Sequence, residues 1–420
     1  MIVRSRGAAA ERLQPVSVTG FVRDPIRLRH GELVVLFDPV PGPLTAIAVA
    51  IRAGSRADGV HPGLAHMTEH MLFQGTRSLD QLTLNRRAGE LGGEHDADTG
   101  HEDMLVHFEV FNEDVEAALG LLAEQLFQST VPDDRFAKER RVVIDEIRGR
   151  QEDPANLLHE RAWARFFAEP LAHPIAGSIR SLRAMAPGAV RRFIGRHFVP
   201  ANMVVAVVGG ISHATLRRAI ARTFPRRGRP APVAPRRPRR RGVGAIRFRR
   251  RDLAQTYLVR LTAAPTSPRA TLALSLAIEI VGADPDARLF QEVRERLGLG
   301  YDVGAALEHG RDWAVAVLSA SAAREHERRL RDTVERTCRD AAGGFTDDEF
   351  ERARNKVRYR FARLADSRMD RAVAHATRAA CAHPTLAMTA RLLDRIGRAE
   401  VDEAWRRLLG APTLTAVLSS

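Results

Sequence analysis

Five residues, His66-Met67-Thr68-Glu69-His70, constrain this 420-residue chain more than any other stretch. On a helix, His66 and His70 stand four apart on one face, one turn from each other. Two imidazoles at that spacing can hold one metal ion. Glu69 lies on the same side, where a carboxylate acts on a metal-bound water rather than on the metal. The order H-x-x-E-H reverses the commoner H-E-x-x-H and marks inverted zinc sites. Zinc enzymes usually take three protein ligands and leave one position for water, so the fold must bring in a third from elsewhere. The best candidate is Glu146, in the segment 139–148. Glu139, two helical turns earlier, shares its face and can support the site from behind the ligands. Asp145 points about a quarter-turn away and is a weaker choice.

The flanks extend the pattern. Gly63-Leu64-Ala65-His66-Met67-Thr68-Glu69-His70-Met71-Leu72-Phe73-Gln74-Gly75-Thr76 resembles the active-site helix of the insulinase/pitrilysin/mitochondrial-processing-peptidase family of zinc peptidases, in its short two-domain form. That family places a Glu ligand well downstream of the second His, at the position of Glu146 here, with an acidic residue two turns before it, at the position of Glu139. Gly92-Gly93-Glu94-His95-Asp96-Ala97-Asp98-Thr99 is similar to its edge strand beside the active site, and Leu289 to Tyr301 to the signature of its second half. His173-Pro174 through Gly177, and Pro200-Ala201-Asn202-Met203 before Gly209-Gly210, also fit. The match runs from about residue 22 to the C-terminus. The resemblance implies one Zn2+ per chain on His66, His70 and Glu146, Glu69 as general base with Glu139 assisting, and substrate contacts at Asp96, Ala97, Arg294 and Tyr301. Asp96 stands where the family has Asn, so the amide donor to substrate is missing. The resemblance also implies a peptide substrate and a dimer, with the zinc half of one chain facing the Arg/Tyr half of another, either a second copy or a related chain.

The net charge is +14, and much of the excess falls in Arg226 to Arg251, a segment with prolines at 230, 232, 235 and 238. Pro and Arg together make an extended, solvated linker. Phe248 is its one aromatic residue, so the stacking residues of a single-strand binder are missing and no nucleic-acid partner is expected. Cys338 and Cys381 are the only cysteines, which leaves no disulfide framework and no Cys-based metal site. Residues 1–20 carry arginines without an apolar core, and no apolar run reaches a membrane span. A cytoplasmic protein with no membrane partner is expected. His95, His101 and His107 fall close together, but Asp98-Thr99-Gly100 argues for a break between them, so they are expected at the surface or at a pocket rim.

The linker separates halves of similar size. Val131 to Phe136 aligns with Phe345 to Phe350, and that register sets Glu139 on Ala353 and Glu146 on Arg360. This predicts a duplicated unit with metal chemistry kept in one copy. Strands are expected at 33–37, 45–51, 105–111, 203–208, 256–261 and 313–318, and helices at 113–128, 154–167, 323–341 and 347–364. The expected class is α+β: two homologous α/β units, each a mixed, mainly antiparallel sheet with helices on one face. The expected division is a tail at 1–21, a zinc-binding catalytic domain at 22–225, a linker at 226–243 and a metal-free domain at 244–420. The function this supports is an endopeptidase for unstructured peptides, in general degradation or in precursor processing. Its competitor is a non-catalytic or partner-dependent subunit of a heteromeric complex.

Overall fold

The computed structural model describes residues 22–420 apart from Ala234, Arg236 and Tyr301, and, for Ala283, its backbone alone. The proposed tail at 1–21 and Tyr301 thus lie outside the described residues. The first sheet contains β1 (Ile26–His30), β2 (Leu33–Pro39), β3 (Leu44–Ile51), β4 (His95–Thr99), β5 (Met104–Phe111) and β6 (Met203–Gly209), in the order β1-β2-β6-β3-β5-β4. The second contains β7 (Gly244–Arg249), β8 (Gln255–Ala263), β9 (Val303–His309), β10 (Ala314–Ala323) and β11 (Thr413–Ser419), in the order β7-β11-β8-β10-β9. Each sheet has a single parallel pair, β2 with β6 and β7 with β11. In both, the pair joins the beginning of the half to its end, as Val34 with Val204 and Gly244 with Leu414. The remaining pairs are antiparallel. The α+β class and the two related units expected from the sequence are present.

Helices follow the same doubling. In the first half they are α1 (Leu64–Leu72), α2 (Gln81–Glu90), α3 (Val115–Gln128), α4 (Asp133–Glu152), α5 (Pro154–Phe166), α6 (Ile179–Ala184), α7 (Pro187–His197) and α8 (His213–Thr223). In the second they are α9 (Pro268–Ile278), α10 (Arg288–Phe290), α11 (Glu327–Asp340), α12 (Asp347–Asp366), α13 (Arg368–Ala380), α14 (Leu386–Leu393) and α15 (Arg398–Leu409). α4 and α12 are both 20 residues long, and their first residues, Asp133 and Asp347, correspond in the register that aligns Phe136 with Phe350. α5 and α13 are both 13 residues long and start at Pro154 and Arg368, in that same register. The helix expected at 323–341 starts later, at Glu327, because β10 continues through Ala323. Tertiary pairing with β8 overrides the helical preference of that alanine-rich strand end.

Most helices of each half pack on one face of their own sheet, where Val35, Ile47, Val106 and Val205 meet Met67, Leu122 and Val143 in one core. The opposite faces are closed by exchange. α13, from the second half, lays Ala372, Ala376 and Ala380 on Val34, Ala48 and Ala206 of the first sheet. α5, from the first half, lays Leu158, Ala162, Trp163 and Phe166 on Val259, Leu261 and Ala416 of the second. A central strand covered on both sides has no polar face to keep, which is why β6 reads as Met-Val-Val-Ala-Val-Val-Gly and is buried throughout. Residues 237–243 run alongside the end of α5, where Arg241 N–H donates to Phe166 and Ala168 N–H donates to Arg239.

One buried cluster fastens the exchanged α13. Asp38, at the end of β2, accepts from Arg371 and from His375 Nε2, the latter at 3.1 Å. Burial pushes the Asp38 carboxyl up, but the His375 hydrogen bond and the Arg371 charge outweigh it and hold the group below its ordinary value. A depressed carboxyl contributes stability that is complete above its unfolded pKa, near 4, and is lost as pH falls through the folded value. We expect Asp38→Asn to destabilise the chain by about 3 to 5 kcal/mol at pH 7, since Arg371 stays buried without its carboxylate. Thermal unfolding of both proteins at pH 7 and at pH 3 checks this, with the difference shrinking at the lower pH.

Candidate metal centre

Helix α1 buries Ala65, Met67, Thr68, Met71 and Leu72 and leaves His66, Glu69 and His70 less buried, with His66 and Glu69 lining a cleft. Its start is fixed by backbone contacts. Gly63 caps it in the left-handed region, φ 91°, where a side chain would be strained. A Cβ on Gly63 would also stand 2.6 Å from the Ala176 carbonyl oxygen, and one on Gly177 2.2 Å from that of Pro62. These two glycines let the 173–177 loop press against the first turn of α1. Asp58 completes the cap by accepting from the N–H groups of Gly63 at 2.6 Å and Ala65 at 2.7 Å. It also accepts from His173 Nε2 at 3.2 Å, while His173 Nδ1 bonds Glu169 at 2.7 Å. Burial pulls the His173 imidazole down, but those two carboxylates more than offset it and hold it up at about 9. Burial raises the Asp58 carboxyl above its ordinary value, opposed by His173 and by the two backbone N–H bonds.

α4 packs across α1 through Phe136, Val143 and Ile147. That crossing brings Glu146 Oε2 to 3.8 Å from His66 Nε2 and 3.6 Å from His70 Nε2. One ligand atom from each of His66, His70 and Glu146 lies within 4.8 Å of the other two. Among the described residues no other His, Cys, Asp or Glu group is so arranged. Two imidazole nitrogens and one carboxylate oxygen suit zinc, and three ligands leave a fourth position free. Glu139 faces the rear of His70, with its Oε2 3.1 Å from Nδ1. A carboxylate there fixes the tautomer that presents Nε2 forward. Asp145 bonds Arg148 at 2.9 Å and is exposed, away from the triad.

Glu69 sits beside the triad and accepts a hydrogen bond from the Thr99 hydroxyl. Burial raises its carboxyl to about 7, partly opposed by Thr99 and by His70. Burial also lowers His66 to about 4, and the nearby His70 adds to that, so its imidazole is neutral and ready to bind a metal. The cleft is about 670 Å³ and is lined by His66, Glu69 and Glu146, by Trp163 and His159 of α5, and by Glu308 of β9 in the other half. His159 Nε2 lies 3.4 Å from Glu308.

The other sequence-derived residues divide. Asp96 and Ala97 lie on β4, the sheet edge that pairs only with β5. The Asp96 side chain is exposed and accepts from Ala97 N–H at 2.8 Å, and Ala97 is buried. Arg294 is on a π-helical turn of the second half, Gln291–Arg296, with its guanidinium 4.9 Å above the Phe290 ring, and it does not line this cleft. Among the described residues, the three clustered histidines are not brought together as His66, His70 and Glu146 are. His101 is stacked on Trp163 with ring planes 2° apart and bonded to Ser55 at 2.8 Å, and His95 lies between Phe73 and Phe108. Of these two, only His101 meets the expectation of a rim position, lining the cleft from its packed place. Nothing in the sequence around Trp163 or Glu308 marks a site, and sequence reasoning missed both. His173 belongs to a recognisable motif, although its bond to Asp58 has no sequence signal at all.

Known proteins resemble this chain in sequence and in fold. The sequence profile described as Insulinase (Peptidase family M16) matches residues 33–178, and that described as Peptidase M16 inactive domain matches 185–357. A protein of Mycobacterium tuberculosis named an uncharacterized zinc protease is 30% identical over 414 residues, 92% of this chain and 91% of its own. Another so named, from Rickettsia bellii, is 28% identical over 339 residues, 79% and 81% of the two chains. Among solved structures, a peptidase M16 inactive domain from Pseudomonas fluorescens superposes with TM-score 0.86 at 20% identity, covering 94% of this chain and 98% of that one. A protease from Helicobacter pylori does so with TM-score 0.86 at 17% identity, covering 95% and 100%. The chain therefore belongs to the insulinase family of proteases, peptidase family M16, in its two-domain form. The profile with "inactive" in its description runs from the end of the first half to residue 357 of the second, where Ala353 stands in the register of Glu139, and Arg360, in the register of Glu146, follows just after it. Ala353 is buried and Arg360 pairs with Glu279.

We expect Glu139→Gln to lower zinc affinity by about 10- to 100-fold with the fold intact, because it loosens the orientation of His70 without removing a ligand. Competition with a chelating indicator measures the affinity, and circular dichroism checks the fold.

Proposed function

We propose that the chain is a zinc-dependent endopeptidase acting on unstructured peptides. The observation that carries this reading is the convergence of His66, His70 and Glu146 within 4.8 Å, with the Glu69 carboxyl in the same cleft. His66, His70 and Glu146 would hold the metal. Bound zinc supplies Lewis acidity, which makes a water acidic near neutral pH and polarises a carbonyl. Glu69 takes the proton from the attacking water and passes it to the leaving amine. The Thr99 hydroxyl holds Glu69 in place for both transfers. Glu139 keeps the His70 ring in register.

The substrate backbone adds as a strand along the free edge of β4, at Asp96 and Ala97, where main-chain bonding tolerates varied sequence. Arg294 and Tyr301 anchor it from a second copy of the chain. This proposal draws on the position of Arg294 outside the cleft of its own chain. A homodimer is favoured because one chain carries both halves. We take 22–225 and 244–420 as its two domains, with 226–243 between them. We place the enzyme in the cytoplasm, in keeping with two buried cysteines that are both free thiols.

Incubating a mixed library of unstructured peptides with the purified, zinc-loaded chain tests the reading. Cleavage by wild type is expected, while Glu69→Gln binds zinc equally and loses about 10²- to 10⁴-fold in kcat. Turnover at the wild-type rate in that variant would remove Glu69 from the reaction. Absence of cleavage by either protein would favour a partner-dependent subunit.

A further inference from the structure

A second cavity, of about 470 Å³, shares no lining residue with the metal cleft. It lies where the halves and the linker meet. Arg52, Arg56, Arg196 and His197 line it from the first half, Arg311 from the turn between β9 and β10, and Pro232 with its neighbours from the linker. Four arginines face this space and no carboxylate lines it, among the described residues. Arg56 is matched by Glu102 and by Asp312. Arg52, Arg196 and Arg311 have no ion pair of that kind among the described residues. Arg52 and Arg311 both donate to the Ala380 carbonyl, at 3.1 and 3.4 Å, at the end of α13. A helix C-terminus offers only about half an elementary charge, so most of their positive charge stays unmatched. Burial, and then the neighbouring Arg311, pull the Arg52 guanidinium below its ordinary pKa.

His197 also lines the cavity and is 7% exposed. Its Nδ1 has no hydrogen-bond partner among the described residues and is itself buried, so it does not open onto the cavity.

We propose that this cavity binds an oxyanion of the phosphate class, held by Arg52, Arg196 and Arg311. Arg52 and Arg311 are partly buried without an ion pair among the described residues, and the exposed Arg196 adds a third guanidinium, a set that suits a dianion better than a single carboxylate. Their fixed N–H forks suit phosphate oxygens in pairs. The volume exceeds that of a bare phosphate and is of the size that takes a small organic phosphate ester. Arg52 and Arg196 come from one half and Arg311 from the other, so the ligand bridges the two.

Calorimetric titration of the full, zinc-loaded chain with inorganic phosphate and with glycerol phosphate tests this, at an ionic strength held constant with potassium chloride. Saturable binding is expected in at least one arm, and the tighter arm tells free phosphate from an ester. Arg196→Gln and Arg311→Gln should each weaken it by about tenfold, the effect of losing one charge-assisted bond. Arg196 is exposed, so its variant should keep the unliganded Tm. No saturable binding of either compound, or wild-type affinity in both variants, would overturn the proposal. The readout is binding, so the result stands apart from any outcome of the peptide cleavage test.

Discussion

The crossing of α1 over α4 is the contact on which the site depends. A metal held by His66 and His70 alone would have two ligands from one helix and nothing to set the third. Phe136, Val143 and Ile147 share one packed core with Met67 and Met71, and so carry Glu146 from a distant part of the sequence to 3.8 Å from His66 and 3.6 Å from His70. Hydrophobic packing is non-directional, but interiors are close-packed, so the angle between two buried helices is held tightly. The ligand geometry inherits that precision. The Asp58 cap and the Gly63–Gly177 contact fix the other end of the same helix, so α1 is held at its start, along its buried face and through His70.

The metal site was the most legible part of the sequence. His66, Glu69 and His70 declare a helical face through spacing alone, and Glu139 and Glu146 share another face for the same reason. The central strands were legible because burial on both sides leaves them almost wholly apolar, as in β6. What spacing does not encode is which face of an element meets which distant partner. His101 looks like a surface histidine in the polar turn after Gly100, and only Trp163, brought in by α5, makes it a packed one. Glu308 reaches the cleft through the pairing of β9 with β10, and nothing around it in sequence marks the role. The helix expected from 323 began too early because the alanines at the end of β10 favour helix locally, and the partner strand β8 decided the outcome.

The duplicated halves have diverged most where chemistry is at stake. α4 and α12 keep their length, and Phe136 and Phe350 are both buried, yet Ala353 fills the place of Glu139 and Arg360 that of Glu146. An Arg in that register places a cation where a ligand would be needed, and it is bound to Glu279. The second half shares the architecture and lacks the donor set. Its contribution to the metal cleft comes through Glu308 and through the face of the sheet that α5 covers.

The exchange of α5 and α13 has a consequence for how such a chain can be divided. Each sheet leaves one apolar side to be clothed by a helix encoded in the other half. A fragment ending at the linker would present Val34, Ala48, Val204, Ala206 and Val208 to water as a bare sheet surface, with α5 left over and nothing to sit on. Such surfaces associate rather than stay monomeric. The two copies are thus bound together much as the strands of a clasp are, and any ancestor with a single copy would have had to trade helices with a neighbour to hide the same surface.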